Sequence, residues 1–178
     1  TDFVRGGAAL SDDAKRDLAA INQELATLAT RFSQNVLKDE NDGLVLVDDK
    51  ARLAGLPEAQ KTAAESAARA RGHAGKWAIE NTRSSVEPCL TFADDRALRK
   101  EVFEMFVGRG DGGGATDNNA IIRQILELRA RRARLLGYPT HAHWRLEHAM
   151  AKKPERAMAL MEEVWGPAVA EVGREVAD

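Results

Sequence analysis

Three of the four histidines lie within eight residues of one another, and Glu147 directly precedes the last of them. Imidazole and carboxylate groups are zinc ligands, and two ligands on one helix share a metal when one turn separates them, as in HExxH. His141 and His143 are two residues apart and point to opposite sides of a helix, whereas His141 and His148 stand about 10.5 Å apart along its axis. Only His143 and Glu147 have the i, i+4 relation, which supplies two ligands where zinc needs at least three. The spacing therefore predicts surface or packing roles for these side chains.

Two further segments contain residue types found in catalytic or phosphate-binding sites. The run GRGDGGGA (residues 108–115) lacks the Gly-Lys-Ser/Thr ending of a Walker loop, and the helical pattern before it does not fit a dinucleotide-binding fingerprint. Ser84 and Ser85 lack the G-x-S-x-G elbow of a hydrolase nucleophile. Cys89, the single cysteine, has no base near it in sequence, which predicts a free buried thiol. We therefore predict a flexible connection at residues 109–119 and no catalytic, cofactor-binding or metal-binding residue.

Arginines and tryptophans mark candidate contact surfaces. The run RARRARLLG (residues 129–137) interleaves arginine with apolar helix positions. This pattern favours a solvated face, or salt bridges to an acidic helix, over nucleic-acid binding. Trp77, Trp144 and Trp165 are predicted to anchor the core or an interface.

Hydrophobic periodicity predicts a mainly α-helical chain with a minor β-hairpin. Apolar residues recur every three or four positions after the N-cap Ser11, which predicts a long amphipathic helix. The runs LVLVDD and GKWAIENT flank an alanine-rich helix that starts at Pro57, and they predict two pairing strands. Pro88 is expected to interrupt the next segment. Further helices are predicted over about residues 95–107, 121–135 and 142–150, and from Pro154 onward. The last of these carries an apolar stripe of Met158, Met161, Trp165, Ala168, Val172 and Val176.

Composition excludes several classes of partner. The 26 basic and 28 acidic residues leave a formal net charge of −2, so the chain has no basic excess for nucleic-acid binding. No apolar run approaches the roughly 18 residues of a membrane span, and the first residues lack the core of a signal peptide. A single cysteine cannot form an intrachain disulfide. These features predict a cytoplasmic protein without a nucleic-acid or membrane partner.

Both ends of the sequence contribute an expectation. The chain opens at Thr1 without an initiator methionine and stops at Asp178 within a predicted helix. We therefore expect residues 1–178 to be a single helical segment of a larger protein.

Six segments carry a family resemblance. They are RFSQNVL (residues 31–37), LAGLPE (53–58), ARGHAGKW (70–77), LRKEVF (98–103), TDNNAIIRQILELRARRARLLGY (116–138) and EHAMAKKPERAMALMEEVWGPA (147–168). In this order they resemble the M3 family of zinc metallopeptidases over nearly the whole chain. Within that family, QNVL, LAGLPE and VWGPA are most similar to the Dcp group of peptidyl-dipeptidases.

The resemblance implies a neurolysin-like fold of two mostly helical halves around a deep, narrow channel. In that fold the two histidines of HExxH and a later glutamate hold zinc, and the parent enzyme hydrolyses oligopeptides. Likeness to the Dcp group implies release of C-terminal dipeptides. The chain contains no HExxH, and in the family that motif lies downstream of the matched region. Zinc is therefore expected in the full-length enzyme and none in this chain, which alone is expected to be inactive.

A second class of function stays open from the sequence. The chain is alternatively a self-contained helical protein–protein interaction module without enzymatic activity. In that case its unused apolar stripes dock a partner. If instead neighbouring parts of a larger protein are missing, apolar helix faces such as residues 158–176 are expected to be exposed or buried by another copy.

Overall fold

A computed structural model describes residues 2–177 of the chain, which divide into two compact units. Unit 1 combines the residues up to Ala26 with those from Gln124 onward, and unit 2 spans Thr27–Arg123. Within residues 2–177 the fold is mainly α-helical with one two-stranded sheet, as predicted. The elements in chain order are α1 (Asp2–Arg5), α2 (Asp12–Asp42), β1 (Leu44–Val47), a 3-10 turn (Lys50–Leu53), α3 (Glu58–Ala70), β2 (Trp77–Glu80), α4 (Arg83–Phe92), α5 (Arg96–Val107), α6 (Asn119–Leu135), α7 (His141–Leu146) and α8 (Pro154–Ala177).

Helix α2 begins where the sequence predicts. The backbone N–H of Ala14 donates to Oγ of Ser11 at 3.3 Å, which caps the first turn. Asp12 and Asp13 lie in that turn, where the helix dipole favours negative charge. The predicted apolar stripe supplies core side chains to both units. Its buried members are Leu18 and Ile21 in unit 1 and Leu28 in unit 2.

The predicted pair of strands forms the sheet of unit 2. Strands β1 and β2 are antiparallel, with Leu44 opposite Glu80 and Val47 opposite Trp77. Helix α3 packs against β2, and its face toward the interior carries the buried residues Ala64 and Ala68. Because alanine has no side chain beyond Cβ, this helix can lie close to the sheet.

The core of unit 2 lies where the sheet meets α4, α5 and the 3-10 turn. Trp77 is half-buried and packs against this core, so it is one of the anchors that the sequence predicts. The fully buried members include two side chains on one face of α5, Leu98 and Val102, as their spacing predicts. The other members of the cluster are Val47, Leu53, Leu56, Ala64, Ile79, Val86, Cys89 and Ala93.

The expectation that Pro88 interrupts its segment is wrong. Helix α4 runs continuously from Arg83 to Phe92 with Pro88 inside it. Proline removes one hydrogen bond, the one its N–H would donate to the carbonyl oxygen of Ser84. Val86 and Cys89 on this helix are buried in the core, and that burial offsets the lost bond.

Cys89 is a free buried thiol, as predicted. Burial raises its pKa from the ordinary 9.0 to about 11. The thiolate is the nucleophile, and at pH 8 only about 0.1% of this thiol is ionised, against about 10% of a thiol with the ordinary pKa. We expect Ellman's reagent to label the native protein at least about tenfold more slowly than the urea-unfolded protein at this pH. Equal labelling rates in both states would show that Cys89 is exposed in the folded protein.

Unit 1 has a smaller interior than unit 2. Its buried apolar side chains are Leu18, Ile21, Leu128 and Ala133. Helix α8 contacts α7, but none of its described residues is buried. This helix therefore belongs to unit 1 while leaving its apolar side chains in solvent.

Candidate functional site

The histidine stretch forms α7, which is shorter than predicted. Thr140 caps the helix by accepting from the N–H of His143 at 3.3 Å. The sequence predicts a helix over residues 142–150, whereas α7 ends at Leu146. The chain after it closes a tighter turn, in which the N–H of Ala149 donates to the carbonyl oxygen of Leu146. His148 therefore lies outside the helix, and its spacing from His141 no longer follows helical geometry.

His143 and Glu147, the one i, i+4 pair in the stretch, bind different partners. Nδ1 of His143 lies 2.8 Å from the hydroxyl of Thr140, and its Nε2 lies 3.6 Å from a carboxylate oxygen of Glu155. Glu147 instead accepts from the hydroxyl of Tyr138 at 2.6 Å. The two groups that were best placed to share a metal are therefore engaged elsewhere.

His148 also takes carboxylate partners rather than other histidines. Its Nδ1 lies 3.1 Å from Asp2 and its Nε2 lies 3.9 Å from Glu147. Within residues 2–177, no group of three or more histidine, cysteine, aspartate or glutamate side chains is placed to hold a metal ion. The donor set of this stretch does not fit a zinc site.

Trp144 is the centre of a cluster that the sequence did not reveal. Nη1 of Arg5 donates to the carbonyl oxygen of Trp144 at 2.5 Å, and the indole N–H donates to the carbonyl oxygen of Arg5 at 3.3 Å. The guanidinium carbons of Arg132, Arg5 and Arg145 lie 4.7, 5.4 and 5.8 Å from the indole centroid. The ring of His141 lies 5.6 Å away. Trp144 is thus an anchor, as predicted, with an arginine partner 139 positions away in sequence.

The basic run contributes to this cluster. Of the two alternatives that the sequence leaves open, the solvated face fits Arg129, Arg131 and Arg134, which are exposed. Arg132 is half-buried, and its Nη1 donates to the amide oxygen of Asn22 at 3.0 Å. Within residues 2–177, none of these arginines pairs with a carboxylate, so the salt bridges of the other alternative are not formed there.

The glycine-rich segment is a connection, as predicted, but hydrogen bonds hold both of its ends. The N–H of Gly110 donates to the carboxylate of Asp39 at 2.7 Å. At the other end, the buried amide of Asn118 donates to the carbonyl oxygen of Phe32 at 3.2 Å and accepts from Asn35 at 2.9 Å. These contacts join the loop to α2 within unit 2.

The predicted apolar stripe of α8 is exposed along its whole length. Trp165 is 71% exposed and Val176 is 82% exposed. Trp165 therefore anchors no core within the described residues, which corrects one of the two roles predicted for it. The other large apolar side chains exposed on α8 are Met158, Leu160, Met161, Val164, Val169 and Val172. A continuous apolar face of this kind marks a contact surface.

No helix formed by residues 2–177 is long and apolar enough to cross a membrane.

Comparison with known proteins places these features in a family context. The sequence profile of peptidase family M3 matches residues 89–178. The chain is 38% identical over 162 residues to the dipeptidyl carboxypeptidase of Escherichia coli K12, covering 91% of this chain and 24% of that protein. It is 37% identical over 179 residues to a probable cytosolic oligopeptidase A of Arabidopsis thaliana, an alignment that covers 95% of this chain and 25% of that protein. It is 32% identical over 166 residues to the oligopeptidase A of Haemophilus influenzae, which covers 90% of this chain and 24% of that protein. The chain thus spans about a quarter of the length of the curated relatives it matches.

Proposed function

The chain belongs to peptidase family M3, and from this membership we propose that it is a non-catalytic helical part of a zinc-dependent oligopeptidase. The complete enzyme hydrolyses short peptides. The single observation that carries the peptidase assignment is the family match over residues 89–178, supported by relatives that align with nine-tenths of the chain. Residues 1–178 form one helical segment of that enzyme.

Dipeptide release is the specificity we propose for the complete enzyme. Two relatives, 38% and 36% identical, are named dipeptidyl carboxypeptidases. Relatives named oligopeptidase A are 32% identical in bacteria and 37% identical in Arabidopsis thaliana, so the support for dipeptide release comes from the bacterial relatives. We also propose a cytoplasmic location, which is supported by the relative named a probable cytosolic oligopeptidase A.

The non-catalytic role is supported by what the histidines of the chain do. His143 contacts Thr140 and Glu155, and His148 contacts Asp2 and Glu147. The sequence has no HExxH motif that could supply two zinc ligands and a general base. We therefore assign the zinc to another part of the complete enzyme, and we assign no chemical step to residues of this chain.

Activity and metal content test this proposal directly. The purified chain and the complete protein encoded by the same gene are compared on a fluorogenic peptide with a free C-terminus and on its C-terminally amidated counterpart. We expect the complete protein to release dipeptides from the free peptide only and to lose activity with a chelator. The chain alone should cleave neither peptide and should contain no stoichiometric zinc. Chelator-sensitive cleavage by the chain alone would overturn the non-catalytic role.

The interaction module is the second candidate function, and the exposed apolar face of α8 favours it. In this case the chain acts through that face without any peptidase. A complete protein that carries no HExxH and has no chelator-sensitive activity would support the module over the peptidase.

Self-association through α8 is expected when the chain is isolated. Trp165 lies at the centre of the apolar stripe, and Ala170 lies about 140° around the helix from it at 100° per residue. Sedimentation equilibrium on the unmodified chain should give a mass above the monomer value of 19.4 kDa. Trp165→Glu should return the mass to the monomer value, because a carboxylate in an apolar contact must be desolvated. Ala170→Glu adds the same charge outside the stripe and should leave the association unchanged. A monomeric unmodified chain at every concentration would contradict the prediction.

A further inference from the structure

The surroundings of Trp144 hold more positive charge than the described residues compensate. Arg5 has two carboxylates nearby, since its Nε lies 3.8 Å from both Asp2 and Glu147. The guanidinium group of Arg132 instead donates to a neutral group, the amide oxygen of Asn22. The cluster therefore contains a half-buried cation without an anion.

Two neighbouring guanidinium groups add to this imbalance. Burial lowers the pKa of Arg132, and the positive charges of Arg129 and Arg145 lower it further. Burial also lowers the pKa of His141, and the positive charges of Arg129, Arg132 and Arg145 lower it further. Within residues 2–177, no carboxylate lies within ion-pair distance of Arg129, Arg132 or Arg145. Like charges gathered in this way repel one another unless an anion is placed among them.

The cation–π geometry suits one class of anion. The guanidinium groups of Arg132 and Arg145 lie over the Trp144 ring, and contact with an aromatic face restricts where a guanidinium group can move. A planar guanidinium group offers two parallel N–H donors, which match the two oxygens of a carboxylate. Arg129 and Arg145 are exposed, so an incoming group can reach them from solvent.

We propose that Arg132 and Arg145, which lie over the ring of Trp144, form with the neighbouring Arg129 a site that binds the carboxylates of an acidic polypeptide segment. Three separate guanidinium groups favour a ligand with several carboxylates over a single small anion. The nearly balanced charge of the whole chain gives no support to a nucleic-acid ligand. This inference does not depend on the proposed peptidase function, because it rests only on the contacts and charges of these side chains.

The NMR resonance of the Trp144 indole N–H reports on ligand binding at this cluster. It is identified in a 15N-labelled sample as the indole resonance that disappears in the variant Trp144→Phe. The probe is the blocked peptide acetyl-Glu-Gly-Glu-Gly-Glu-amide, titrated at low salt, and its glutamine counterpart is the uncharged control. We expect the acidic peptide to shift the resonance in a saturable manner and the glutamine peptide to leave it unchanged. Raising the NaCl concentration from 20 to about 300 mM should weaken binding, because salt screens exposed charges.

Paired arginine variants locate the site. The double variant Arg129→Gln/Arg145→Gln should raise the dissociation constant by about tenfold, equivalent to the loss of two exposed charge pairs. Arg131→Gln/Arg134→Gln removes the same charge from exposed positions of α6 outside the cluster and should change the constant by less than about twofold.

Three outcomes would overturn the proposal. An equal effect of the two double variants would show that net charge, not this cluster, attracts the peptide. Saturation by the glutamine peptide would exclude carboxylate recognition. Inorganic phosphate that binds as tightly as the acidic peptide would exclude a polypeptide segment as the favoured ligand.

Discussion

Replacing Gly55 by alanine is expected to destabilise unit 2 by at least about 3 kcal/mol, because three costs add at this position. Gly55 has a φ of 83°, which costs a residue with Cβ about 1 kcal/mol. The new Cβ would collide with the carbonyl oxygen of Phe92 and would lie 2.8 Å from Oδ1 of Asp94. Relieving that collision moves the end of α4 and breaks the bond from the N–H of Asp94 to the carbonyl oxygen of Ala54, now 2.9 Å long. The midpoint of urea unfolding, followed by tryptophan fluorescence, should fall by more than about 1 M.

Gly75→Ala is the matched control for this variant. Gly75 has nearly the same φ, 81°, but nothing lies within 4 Å of an added Cβ. Its substitution therefore isolates the conformational cost of about 1 kcal/mol. Equal losses of stability in the two variants would show that Gly55 does not lie against the end of α4.

Replacing Asn118 by leucine is expected to cost about 2–4 kcal/mol, because the buried amide of Asn118 makes two hydrogen bonds that leucine cannot replace. Asn118 is 1% exposed. Its amide donates to the carbonyl oxygen of Phe32 and accepts from the side chain of Asn35. Leucine has a similar size but can make neither bond, so the part-buried amide of Asn35 loses this acceptor and the carbonyl oxygen of Phe32 loses a second donor. Urea unfolding measures the loss, and hydrogen exchange at the start of α6 should accelerate with it.

Asn119→Leu makes the same chemical change at the neighbouring position. Asn119 is exposed, and its amide donates to the surface carboxylates of Asp111 and Asp117. Water replaces these bonds when they are lost, so the variant should lose less than about 1 kcal/mol. An Asn118 variant as stable as its Asn119 counterpart would contradict the buried network.

The elements that the sequence predicts well are those whose cause is local. The stripe of α2, the cap at Ser11, the alanine-rich α3 and the two short strands all depend on residues a few positions apart. The structure departs from prediction where tertiary contacts decide the outcome. Pro88 stays within a helix because Val86 and Cys89 on that helix enter the core.

The contacts that define the candidate site were beyond local prediction for the same reason. Arg5 meets Trp144 across 139 positions, and Asn35 meets Asn118 across 83. No periodicity connects such residues, and helix spacing alone could test only pairs within one element. For His148 that spacing assumed a helix over residues 142–150, whereas α7 ends at Leu146. A resemblance carried by six dispersed segments led to the family.

The loop between α5 and α6 is held at both ends, so its middle can change in length without disturbing the fold. Asp39 holds the loop at Gly110 and Asn35 holds it at Asn118, while an added Cβ at Gly112, Gly113 or Gly114 would meet no atom within 4 Å. Lengthening a loop whose ends are fixed costs little, since closure entropy grows only with the logarithm of its length. A peptide epitope or a small folded tag inserted at Gly113 would therefore be displayed from unit 2, which makes this position a practical handle for immobilising or labelling the protein.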